Sequence, residues 1–158
     1  MAHYPTTTAA NFFRAPVIPT AATVPWAPLA GRILLCTIFI LSGVTKFADW
    51  QGTAAYMASK NMPLIPLLLP LAGLVEIAGG LSLLLGCRAR FAALLLFLYL
   101  IPTTFIFHNF WAQAGYEHMN QMHHFLKNLA IMRGLALMVG LGPGPRSIDN
   151  MNMRRLRA

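Results

Sequence analysis

A run of 23 residues, Leu64 to Gly86, contains a single charged side chain, Glu76. A run of that length is long enough to cross a bilayer as a helix. A carboxylate in mid-span costs roughly 2.5–3.5 kcal/mol on insertion scales, so it is kept where it faces a protein interior, pairs with a cation, or handles a proton or ligand. The chain has only four acidic residues in all, which makes the placement of this one informative.

Three further runs have spanning length: 29–46, 91–111 and 125–141. Of all residues 57% are hydrophobic and 10% charged, against about 25% charged in soluble domains. A soluble bundle would need a polar face on every helix, and these segments are apolar nearly all round. The expected fold is therefore all-α, an integral membrane four-helix bundle in one domain occupying 29–141. Residues 1–28 read as a flexible tail: they carry only Arg14 as a charge and prolines at 5, 16, 19, 25 and 28, and they lack the basic start and short apolar stretch of a secretory signal. A short surface-lying piece around Phe12 and Phe13 is compatible with that tail. Residues 142–158 read as a basic C-terminal tail, and no internal repeat is evident.

Arg14, Arg32, Arg88, Arg90, Arg146, Arg154, Arg155 and Arg157 fall on the side that holds both termini, with Lys46, Lys60 and Lys127 near the opposite boundary. The positive-inside rule then places both termini in the cytoplasm and the protein in the inner membrane. Basic residues beside a membrane meet anionic lipid or fix topology. The net charge of +8 needs no nucleic acid to account for it, and no nucleic-acid motif accompanies it.

Compared by depth, the polar residues of the spans converge on one membrane half. Ser42 and Lys46 are four apart, as are Thr104 and His108; His124 stands three before Lys127 and four before Asn128. Such spacings put side chains on neighbouring positions of one helix face, and a polar pocket opening outward would use them. Around Glu76, Gly73, Gly79 and Gly80 permit close helix packing. Glu76 would then face the interior, where Arg133, Lys46 and Lys127 compete to be its partner. A purely architectural ion pair stands beside a proton-handling or ligand-binding carboxylate as the alternative role.

The blocks SGVTK (42–46), EIAGGLSLLLGCRAR (76–90), FHNFW (107–111), HFLKNLAIM (124–132) and GPGPRSID (142–149) together resemble the DoxX family of small four-helix membrane proteins, over about residues 31–149. The resemblance selects Lys46, Glu76, Gly79, Gly80, Arg90, His108, Lys127, Asn128, Ser147 and Asp149. It implies a loose association with quinone- or sulfur-linked oxidoreductase systems. Arg133 departs from the family pattern, which has a small residue there, and puts a second strong cation in the mid-membrane layer, where pairing with Glu76 is one of the open alternatives.

Quinone chemistry needs groups that hydrogen-bond ring oxygens and exchange protons. Glu76, His108 and Lys127 are the candidate catalytic residues, and Lys46, Ser42, Thr104, His124 and Asn128 the candidate ligand contacts. Gly73, Gly79, Gly80, Arg90, Arg133 and Asp149 are expected to be structural. No flavin or dinucleotide fingerprint is present, so the chain itself carries no cofactor beyond a bound quinone and the electrons need a partner oxidoreductase subunit. Whether the chain is itself an enzyme stays open. Cys36 and Cys87 form no CxxC and read as buried filler, or as a redox pair should they meet. His118, His123 and His124 with Glu117, Met119 and Met122 offer copper-type ligands without a known metal spacing, and no metal site is assigned. Trp50, Trp111 and Tyr116 read as interfacial anchors. A non-catalytic subunit or assembly factor, and a small solute or metal transporter acting as a homo-oligomer, are the alternative functions.

Overall fold

The computed structural model describes residue 24 and residues 26–156. The proposed tail residues up to 23, with Arg14, Phe12 and Phe13, lie outside them, as does Arg157. Four long helices cross the membrane: α1 (Ala27–Ala48), α3 (Ile65–Leu85), α4 (Ala89–Phe107) and α5 (Gly115–Leu141). Two short helices, α2 (Trp50–Ser59) and α6 (Ile148–Arg155), and a 3-10 turn at Phe110–Ala112 complete the order, and there is no strand among the described residues.

Local chemistry sets the boundaries. Pro28 occupies the first turn of α1, where its missing N–H forfeits no bond. Asp49 leaves helical geometry, and its carboxylate accepts from Gly52 N at 3.0 Å, so one residue ends α1 and caps α2. Gly86 stops α3 at φ 65°, a left-handed conformation that glycine adopts without the steric penalty of a Cβ. A side chain there would also run into Arg32 Nη1 and Ser147.

α1 packs along α3, and α4 bridges α3 to α5, while α5 only brushes α1. The α1–α3 seam depends on small residues: a methyl on Gly43 would meet Ile77 Cγ1 at 2.6 Å and Gly73 O at 2.9 Å, and one on Gly80 would meet Ile40 Cγ1 at 2.8 Å. In lipid, where apolar surface gains little from being hidden, such close backbone approach is a main source of helix association. Gly79 turns the other way, toward Leu96 of α4. The core is small, built from Cys36, Phe39, Leu83, Ala89, Ala92, Ala93, Leu96, Leu100 and Leu135. Outward-facing leucines are numerous, among them Leu34, Leu67 and Leu74, a surface suited to acyl chains and far too apolar for water.

Two features organise the end that holds the termini. Within the basic C-terminal segment, Ile148–Arg155 forms α6 and folds back on the bundle. Ser147 caps α6 through Asn150 N at 3.2 Å, and Asp149 Oδ1 and Oδ2 accept from Arg88 N and Ala89 N at 2.8 and 3.0 Å, capping α4 from 60 residues away. Arg32, read as a flanking charge, is instead fully buried and donates through Nη2 to Arg146 O, while its Nε and Nη1 have no partner among the described residues. Arg90 is also buried and reaches Gly140 O at 3.4 Å. Cys36 is buried and Cys87 half-buried, and both are free thiols.

Candidate functional site

α1, α3 and α4 each send one polar side chain to a common point. Lys46 Nζ lies 2.7 Å from Glu76 Oε2 and donates to Ser42 Oγ at 2.8 Å, one turn earlier on its own helix. Tyr99 OH donates to Glu76 Oε1 at 2.9 Å. Both carboxylate oxygens are thus engaged, one by an ammonium and one by a phenol, in a group whose side chain is 5% exposed. A buried charge is tolerated when it is both paired and hydrogen-bonded, as here. The competition for Glu76 is resolved in favour of Lys46. Arg133 is exposed on α5 and does not pair with Glu76.

This cluster borders a cavity of about 660 Å³ whose lining is chiefly apolar, with Phe39, Met57, Val75 and Leu100 among its walls. That volume falls within the roughly 300–1,000 Å³ of small-molecule sites. Ile38, Leu71 and Leu98 line it while also presenting surface on the outside of the bundle, so the cavity lies against the lipid. Lys46 carries three N–H donors, two of which are used, and its side chain is 20% exposed. The third is left for an acceptor in the cavity.

Ser42, Lys46, Glu76, His108 and Asn128 all line this space. Thr104 and His124 stand one layer behind it: Thr104 accepts from Asn128 Nδ2 at 3.0 Å, and His124 stacks on His108 with ring centroids 5.1 Å apart. Lys127 is exposed and outside the lining, against the expectation that it works beside Glu76. On a helix of 3.6 residues per turn it stands about 100° from Asn128, so the turn that brings Asn128 inward carries Lys127 out.

His108 is held by a chain of side chains from α5. Gln121 Nε2 donates to Glu117 Oε1, which turns Gln121 Oε1 toward His108 Nδ1 at 2.9 Å. Tyr56, on α2 outside the spans, donates to Phe107 O at 3.2 Å and lines the cavity. Partial burial pushes its hydroxyl pKa up, and the nearby Glu117 carboxylate adds to the rise. No cluster of three or more His, Cys, Asp or Glu suited to a metal occurs among the described residues. Trp50, Trp111 and Tyr116 are exposed near the ends of their helices.

Tyr99, Tyr56 and Gln121 were not legible as site residues from the chain alone. For Tyr99 a signal did exist, since a phenol in mid-span needs a hydrogen-bond partner when buried.

Fold and site define a four-span membrane protein with a paired carboxylate at the edge of a lipid-facing cavity. The DoxX family pattern matches residues 27–109, and the chain belongs to that family. The SURF4 family pattern matches residues 71–154. "Inner membrane protein YqjF" of Escherichia coli (strain K12) is 37% identical over 123 residues, 78% of this chain and 89% of its own. "Inner membrane protein YphA" of the same organism is 33% identical over 128 residues, 81% and 91% of the two chains. A "Surfeit locus protein 4 homolog" of Drosophila melanogaster is 28% identical over 124 residues, which is 77% of this chain but 39% of that one. No solved structure matches. The protein is an inner membrane protein held in lipid by its four spans.

Proposed function

We propose that the cavity binds a quinone-type ligand and that the protein is a membrane component of an oxidoreductase system, with a partner subunit supplying the electrons. The supporting observation is the meeting of a lipid-facing apolar cavity with the Lys46–Glu76–Tyr99 cluster at its edge. Such a site suits a molecule with a hydrogen-bonding ring and an apolar tail. Lys46 holds a ring oxygen through its third N–H. Glu76 fixes the ammonium and balances its charge while Tyr99 holds the carboxylate, and His108 exchanges a proton at the cavity wall. A bound quinone supplies the two-electron, two-proton redox chemistry, which no side chain here provides.

A second reading has its own support. Lys46, Glu76 and Tyr99 tie three helices together, which is also what a non-catalytic subunit or assembly factor would use to fix its bundle. Equilibrium binding of a radiolabelled short-chain quinone to the protein in nanodiscs separates the two. The redox reading expects saturable one-site binding, weakened by about tenfold in Tyr99→Phe through loss of one charge-assisted hydrogen bond. No saturable binding by a folded wild-type protein would favour the architectural reading.

A further inference from the structure

α5 is the least buried of the four spans: only Gln121 and Leu135 are buried along its 27 residues. Its outward face carries Leu126, Ala130, Arg133, Leu137 and Leu141, all exposed and spaced three or four apart. Arg133 stands near the middle of that face. It stands eight positions before Leu141 at the C-terminal end of α5 and eighteen after Gly115 at its start, about 12 Å and about 27 Å at 1.5 Å per residue.

Arg133 has no hydrogen bond or ion pair among the described residues. An arginine always stays charged, and a lipid-facing one at a helix centre costs roughly 2.5–3.5 kcal/mol even on the mildest scale. None of the acidic side chains supplies the missing anion. The chain's four acidic residues are Asp49, Glu76, Glu117 and Asp149. Asp49 caps α2, Glu76 is buried against Lys46, Glu117 is in the first turn of α5, and Asp149 caps α4 from α6. A second copy, related by an axis along the membrane normal, would bring Arg133 to the depth of its own Arg133 and add repulsion.

We infer that the α5 face centred on Arg133 docks a transmembrane helix of a different protein, one that carries an Asp or Glu at mid-membrane depth. The exposed Ala130, Ala136 and Gly140 beside Arg133 let such a helix come close enough for the carboxylate to reach the guanidinium. This inference is independent of what occupies the cavity between α1, α3 and α4.

Site-specific photocrosslinking of the full chain in its native membrane tests it, with a diazirine side chain at position 137, a second probe at Leu34 on the lipid-facing side of α1, and peptide mass spectrometry of the adducts. The expected result is a protein adduct at 137 that maps to a transmembrane segment containing an Asp or Glu, with lipid adducts at 34. Yield at 137 should fall about tenfold in Arg133→Leu and persist in Arg133→Lys, in line with the upper range of interhelical polar coupling in membranes. Lipid adducts alone at 137, an adduct with a second copy, or a partner segment with no carboxylate would overturn it. So would a crosslink indifferent to Arg133→Leu. The identity of the crosslinked segment decides the matter even if that variant accumulates poorly.

Discussion

Lys46 on α1 and Arg133 on α5 both stand inside membrane-spanning helices, and their surroundings are opposite. Lys46 meets a carboxylate, a serine hydroxyl and a cavity, all within the bundle. Arg133 lies exposed among leucines and small residues. One cation is compensated by the fold and the other is left to something beyond it. The contrast follows from helix packing: α1 is clamped to α3 by a glycine seam that faces its polar residues inward, whereas α5 contacts mainly α4 and leaves its opposite side uncovered.

The largest effect should come from breaking the compensated site. Lys46→Leu leaves Glu76 buried without its cation and should destabilise the bundle by about 3–5 kcal/mol, read as lost folded fraction in a denaturing-detergent titration. Lys46→Leu combined with Glu76→Leu should recover much of that loss. Next, Gly80→Leu should cost about 1–3 kcal/mol by forcing Ile40 and the α1 backbone away, in the same titration. Asp149→Ala should cost about 0.5–2 kcal/mol through loss of the cap on α4, and hydrogen exchange should rise first at Arg88 and Ala89. Arg133→Leu should fall within about 0.5 kcal/mol of wild type in the purified protein. A large destabilisation there would erase the contrast between the two cations.

The four spans and the singular position of Glu76 were legible in the sequence because length, hydropathy and charge are local properties. The partner of Glu76 was not. Depth along the helix can be counted, but Lys46, Lys127 and Arg133 differ in the direction they face, which neighbouring helices fix. Tyr99 was hidden for a related reason: inside an apolar run its ring reads as one more hydrophobic side chain until α4 is seen to turn its hydroxyl toward α3. In the basic 142–158 segment a local capping signal, Ser147 before a short helix, is present. The contact that docks it, Asp149 on the start of α4, joins residues too far apart in sequence for any local pattern to register. His108 and Asn128 sit at the cavity as expected of their spacing, while Lys127, counted with them, falls on the far side of its helix turn.

Photolabelling of the reconstituted protein by an azidoquinone, with the labelled peptides mapped by mass spectrometry, tests the central claim most directly. Label is expected on cavity-lining residues near Lys46, Met57 and Tyr99, suppressed by excess unlabelled quinone. Label spread over the exposed leucines of the outer helix faces, or label at the cavity that excess quinone does not displace, would contradict it.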